Sequence, residues 1–287
     1  MKSIKFILVI SILSLFSSCK KETPSSSGNQ AKKPCPDANF CVLSKMPVLQ
    51  QGASGLPSII KEKSGDSSIK KDTGWCAPVS STMGIAGLVR ETKSEVYFNN
   101  SFDQFRSFSK KYTLNSRTVQ YGPSIYSVGQ KMKTDWKNGG TYGHKKVDAF
   151  EAYEKSIRAP SSYTVGHNDQ TLSRWSTVNN GDIIDIFKKH KPSFAVSWGI
   201  YEKKLSIYRR VGGHALIING YEDGYLKVYD PWGKVYNVNI VKAEGSGING
   251  RDEVRHVSGD WGFVNSYSKG GKKVLFDSYN YLYAHKK

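Results

Sequence analysis

Gly212-Gly213-His214-Ala215-Leu216-Ile217-Ile218-Asn219-Gly220-Tyr221, followed by Glu222-Asp223-Gly224 and Tyr225-Leu226-Lys227-Val228-Tyr229-Asp230, reads as two strands joined by a hairpin. Both runs are rich in β-branched and aromatic residues and are punctuated by Gly and Asp. A three-residue loop takes a left-handed residue at its third position, where Gly224 stands. That loop predicts Tyr221 opposite Tyr225 and Leu216 opposite Asp230. His214, two residues from Leu216, then projects on the same face as Asp230, because strand side chains alternate, and an imidazole–carboxylate hydrogen bond comes within reach. A two-residue loop would put the two side chains on opposite faces. Residues 192–199 read as a further strand.

Working outward, Asp72-Thr73-Gly74-Trp75-Cys76-Ala77-Pro78-Val79-Ser80-Ser81-Thr82-Met83 passes from turn residues into an apolar run, with Val79, Met83, Ala86 and Val89 on one helical face. Pro78 suits a first turn, where no N–H is needed. Cys76 is therefore expected at a helix N-terminus, where the dipole favours the nucleophilic thiolate over the thiol. Gly84, Gly87 and the hydroxyl residues are poor helix formers, so burial must support the helix. A thiol at a helix start with a His oriented by a carboxylate is the constellation nucleophilic acyl transfer requires. Read singly, Cys76 is a small core residue, His214 a strand histidine and Asp230 a turn acid.

Together, Trp75-Cys76-Ala77-Pro78-Val79-Ser80-Ser81-Thr82-Met83, Gly212-Gly213-His214-Ala215-Leu216-Ile217-Ile218-Asn219-Gly220-Tyr221 and Tyr229-Asp230-Pro231-Trp232-Gly233 resemble the Cys, His and Asp blocks of papain-like cysteine peptidases of the bacteriocin-processing-like (double-glycine peptidase-like) branch. The resemblance implies an α+β fold in which a helical lobe carrying the Cys helix packs on an antiparallel β-sheet carrying His and Asp. It also implies Cys76 as nucleophile, His214 as base and Asp230 as orienter. The family's Gln, six residues before the nucleophile, is replaced here by Lys70. Thr73, Gln50 and Gln51 are the remaining candidates for oxyanion donors. Losing such a donor typically costs about two to three powers of ten in rate. Three readings stay open: a cysteine hydrolase acting on a peptide or amide, a surface binding module of the same fold with a weak or spent site, and an acyl or amide transferase using the same triad.

The N-terminus points to export. Lys2 and Lys5 precede the apolar run Phe6 to Phe16, which is short of the roughly 20 residues a membrane-spanning helix needs. Residues 1–18 read as a signal peptide, and Leu15-Phe16-Ser17-Ser18-Cys19 resembles a lipoprotein lipobox, implying acylation of Cys19. An ordinary secretory cut is the alternative. Residues 19–34 are nearly devoid of apolar side chains and read as a tether holding residues 35–287 roughly 20 Å from a membrane. In that extracytoplasmic compartment Cys35 and Cys41 can close a short disulfide loop worth about 2 kcal/mol, or remain two thiols. Cys76 is left as a thiol.

The chain has 287 residues and four Cys, too few for a disulfide scaffold, and its 38% hydrophobic content excludes disorder throughout. Its net charge is +18, and loss of Lys2 and Lys5 leaves 40 basic residues against 24 acidic ones. For an exported chain without a recognition motif this suits acidic surface polymers or anionic headgroups, makes nucleic acid a poor partner, and none is expected. His144, His167, His190, His256 and His285 show no metal-ligand spacing, so neither metal nor cofactor is expected. An insertion around 91–191, with helices read at 151–158 and 181–189, supplies either substrate walls or solvated filler.

Overall fold

The computed structural model describes residues 40–41, 46–69, 74–98, 101–102, 118, 120–141, 146–167, 178–179, 193–204, 207–222, 225–239, 242–248, 251–258 and 272–287. All belong to one unit, Cys35–Lys287. Signal peptide, tether, Lys70, Thr73, Cys35 and residues 181–189 lie outside the described residues.

Most helices lie in the first half of the chain and most of the sheet's strands after it, with short strands at Phe40–Cys41, Glu95–Phe98 and Ser101–Phe102 before or among the helices. Leu56–Ser64, Cys76–Thr92, Gly122–Lys131 and Lys146–Ser156 are α-helices. Antiparallel pairing then joins eleven strands into one sheet. Its spine runs from Lys234–Asn239 through Tyr225–Asp230 and Leu216–Glu222 to the long strand Ser193–Lys204. Beyond that it continues through Ile207–Gly212, Arg251–Ser258 and Lys242–Ile248 to Val178–Asn179. The C-terminal strand Lys272–Lys286 pairs with both Ser193–Lys204 and Tyr163–His167. Mixed helix and antiparallel sheet is thus the observed class.

The helix Cys76–Thr92 explains why the two halves hold together. Every residue from Cys76 to Val89 is buried, so no face is left for solvent. A helix buried all round needs small residues where neighbours approach and apolar ones elsewhere. Gly84, Gly87, Ser80, Ser81 and Thr82 fill the first role, and Val79, Met83, Ile85, Leu88 and Val89 the second. The apolar spacing had marked one face; burial extends to the others because helices close over them. Tyr121, Ile125, Val128 and Met132 come from one side and Phe150 and Tyr153 from another, all fully buried. Leu216, Ile217, Ile218 and Val228 of the sheet belong to the same core. Each such apolar side chain contributes roughly 1.5–3 kcal/mol on burial. The described helices of the 91–191 segment are therefore core, not solvated filler. The helix ends at Lys93, whose left-handed backbone (φ 56°) turns its N–H onto the carbonyl of Val89.

Two local expectations are corrected. The helix read at 151–158 runs from Lys146 to Ser156, and Ile157–Arg158 is a strand because it pairs with Val96 and Glu95. The hairpin pairs Tyr225 with Glu222 and Leu226 with Tyr221, which leaves two residues between the strand ends instead of three. Continued unbroken, that register would send His214 and Asp230 to opposite faces. A β-bulge prevents it: Lys227 pairs with Gly220 but Val228 pairs with Ile218, so Asn219 is the extra residue. Past the bulge Tyr229 pairs with Ile217, the register the three-residue loop had implied.

Candidate active site

Cys76 is the first residue of its helix. Trp75, before it, has non-helical backbone angles (φ −86°, ψ 19°) and gives no side-chain cap. The first intrahelical bond runs from the Val79 N–H to the Trp75 carbonyl at 3.2 Å, so the N–H groups of Cys76 and Ala77 come ahead of the helical ladder. Trp75 itself is fully buried. Its indole N–H donates to the Trp136 carbonyl at 3.3 Å, and the two rings meet edge to face, 5.6 Å between centroids. Gly74 uses a left-handed backbone (φ 84°), and its carbonyl accepts from the Gly140 N–H at 3.1 Å. A Cβ at Gly74 would sit 3.0 Å from that same nitrogen. The chain leading into Cys76 is therefore clamped by the 134–140 loop.

His214 lies just ahead of the strand Leu216–Glu222, not within it, while Asp230 ends the strand Tyr225–Asp230. The ring Nε2 of His214 donates to Asp230 Oδ1 at 2.9 Å. Both side chains are buried, at 3% and 0% exposure. The same carboxylate oxygen accepts the Trp232 backbone N–H at 2.9 Å. With Nε2 committed to the carboxylate, Nδ1 is the ring nitrogen available to the thiol, and Cys76 hydrogen-bonds to the His214 side chain. Burial on its own would lower the imidazole's pKa. The hydrogen bonds to Asp230 and Cys76, with the charges of both, overcome burial and raise it from 6.5 to about 9. An imidazolium facing a sulfur at a helix N-terminus favours the thiolate. Cys76 is buried at 8% exposure and carries a thiol, not a disulfide.

Of the oxyanion candidates, Gln50 and Gln51 both reach the turn that follows Asp230. The Gln51 N–H donates to the Pro231 carbonyl at 2.7 Å, and Gln50 forms an isolated β-bridge with Trp232. Gln50 also lies over Gly233, where a Cβ would stand 2.2 Å from its Nε2. Gln51 is 2% exposed, and its Oε1 has no hydrogen-bond partner among the described residues. Thr73 and Lys70 lie outside those residues, as does the side chain of Cys41. No cluster of three or more His, Cys, Asp or Glu among the described residues could hold a metal ion.

Sequence reading passed over two supports of the site. One is Asn219, whose bulge restores the His–Asp register. The other is Ser80, one turn after Cys76, whose hydroxyl donates to the Ala215 carbonyl at 3.0 Å. The four-residue spacing of Ser80 from Cys76 was the available signal, because residues four apart share a helix face.

No family model and no curated protein matches the chain. Among solved structures, the interpain A cysteine protease of Prevotella intermedia is similar at a TM-score of 0.39 and 13% identity, covering 87% of this chain and 98% of that one. A likeness of that size carries no conclusion about the site.

Proposed function

We propose that the chain is a papain-like cysteine hydrolase that cleaves a peptide or related amide, with Cys76 as nucleophile, His214 as acid and base, and Asp230 as orienter. The observation that carries the reading is a single arrangement: a thiol opening a buried helix, bonded to a buried imidazole whose other nitrogen is held by a buried carboxylate. Cysteine peptidase chemistry needs no further group. The Cys76 thiolate adds to the carbonyl carbon, and the C=O electron pair moves onto oxygen. The oxyanion is met by the Cys76 backbone N–H at the helix start, with Gln50, Gln51 or Thr73 as the candidate second donor. As the carbonyl re-forms, the C–N bond breaks and the His214 imidazolium gives its proton to the departing amine, leaving a thioester on Cys76. Neutral His214 then takes a proton from water, whose oxygen displaces sulfur, releasing the acid and restoring thiolate and imidazolium. Asp230 keeps one edge of the ring fixed throughout.

The export signal, lipobox and tether support a setting on the bacterial envelope, with Cys19 acylated and the hydrolase outside the cytoplasm. Lys70 at the family's Gln position favours, as a second reading, a binding module of the same fold with slow or no turnover. Incubation with a diverse peptide mixture, read by mass spectrometry against Cys76→Ala, separates them. Cleavage lost in the variant supports the hydrolase. No cleavage by a protein whose Cys76 is reactive supports the binding module.

A further inference from the structure

The hydroxyl of Ser80 links the Cys76 helix to the residue that follows His214. Ser80, Ser81 and Thr82 are consecutive, fully buried hydroxyl residues on the Cys76 helix, and each spends its proton differently. Thr82 donates back to the Pro78 carbonyl at 2.7 Å and so stays within the helix. Ser81 points to the Met132 sulfur at 3.7 Å, towards the helix Gly122–Lys131. Ser80 crosses to the sheet side and donates to the carbonyl of Ala215, the residue after His214. That acceptor lies in the segment 213–215, which links the strands Ile207–Gly212 and Leu216–Glu222 and carries His214. The ladder of the long central strand runs Ala195 with Ile218, Val196 with Ile217 and Ser197 with Leu216, and residues 213–215 lie ahead of the strand. His214 thus sits in a three-residue segment between two strands, next to a carbonyl that the helix opening with Cys76 holds. Cys76 and Ser80, four residues apart, lie on one helix face.

We propose that Ser80 is a positioning residue that sets the distance between the Cys76 thiol and the His214 ring by tying the helix of one to the backbone of the other. The inference rests on reading Cys76 and His214 as nucleophile and base, and it adds a third residue through which their geometry is maintained. Ser80 touches neither substrate nor reacting atoms. Without its hydroxyl the helix and the 213–215 segment part at the point where the thiol must meet the imidazole. A displacement of about 1 Å between reacting groups typically costs up to a hundredfold in rate.

The test is the iodoacetamide alkylation rate of Cys76 from pH 4 to 10, followed on the Cys76 peptide by mass spectrometry in the full-length protein, with thermal melting run alongside. In Ser80→Ala the rate at pH 6 should fall roughly ten- to hundredfold, and the inflection should move up towards that of an ordinary thiol. Ser80→Thr, which keeps the hydroxyl, should return the wild-type profile. Ser80→Cys, a weak donor resolved from Cys76 by peptide fragmentation, should fall between, and it decides the matter if the alanine variant does not fold. A folded Ser80→Ala or Ser80→Cys protein with the wild-type profile, even at a lower melting temperature, would make Ser80 merely structural and overturn the proposal. His214→Ala keeps the two claims apart. If it alters the profile and the Ser80 variants do not, this inference alone falls; if even His214→Ala leaves the profile unchanged, the hydrolase reading falls with it.

Discussion

Replacing Asp230 by Asn keeps the shape of the site and removes one charge, so it isolates what the carboxylate does. The amide oxygen can still accept from His214 Nε2 and from the Trp232 N–H, both at 2.9 Å in the wild type, and orientation should survive. The imidazolium loses its anionic neighbour. In the wild type burial opposes the charge, and Asp230 and Cys76 together carry the pKa from 6.5 to about 9. At about 1.4 kcal/mol per unit, the net preference for imidazolium is about 3 kcal/mol. With the Cys76 contribution kept and that of Asp230 reduced to a neutral hydrogen bond, the pKa should fall by roughly one to two units. The sign is fixed: His214 is positive below its pKa and neutral above it, so the variant loses its imidazolium at a lower pH. Two alkylating agents read this directly. Anionic iodoacetate is drawn to an imidazolium and neutral iodoacetamide is not, so the ratio of their rates at Cys76 should drop as His214 deprotonates. The drop should fall near pH 9 in the wild type and between about 7 and 8 in Asp230→Asn. A drop at the same pH in both proteins, or no drop between pH 6 and 10 in the wild type, would refute the electrostatic account.

Gly233→Ala should lower stability by about 1–3 kcal/mol in thermal melts, because φ is 81° there and the new Cβ would stand 2.2 Å from Gln50 Nε2. Gly129→Ala places a Cβ 2.1 Å from the Trp136 ring and should cost about 1–3 kcal/mol by overpacking, with a change in Trp fluorescence as Trp136 moves off Trp75. Cys19→Ser should move the protein from the membrane to the soluble fraction on cell fractionation, and the intact mass should lose its acyl chains. A Leu88→Ala variant, emptying a fully buried site on the Cys76 helix, should cost about 2–5 kcal/mol in denaturant unfolding.

Much of this architecture is legible in residue order because two local signals are strong. The strand Tyr225–Asp230 has the bounds its composition indicates, and Pro78 with Trp75-Cys76 marks the helix start within a residue. The joint position of Cys76, His214 and Asp230 could be reasoned from these, but partly for the wrong cause. Asp223-Gly224 is itself a favoured pair for two-residue loops, and the three-residue reading succeeded downstream only because a bulge at Asn219 restores the offset. A bulge leaves little trace in one sequence, since any residue can be the extra one when its neighbours pair. Ile157-Arg158 shows the complementary difficulty. Its helical run continues unbroken in the sequence, and only pairing with Glu95-Val96, some sixty residues away in the chain, makes it a strand. The Ser80 to Ala215 bond spans 135 positions and is likewise a tertiary fact. The clamp of Gln50 and Gln51 on the Asp230 turn was out of reach for the same reason, although both residues stood out as candidates.

The proposed mechanism starts from a thiolate–imidazolium pair of Cys76 and His214 in the resting protein. Thiolate absorbance measured against pH, with Cys76→Ser as the blank, tests it most directly. Cys76 should titrate well below the free-thiol value of about 8.5, and His214→Ala should return it towards that value. A wild-type thiol that titrates near 8.5 and is indifferent to His214→Ala would contradict it.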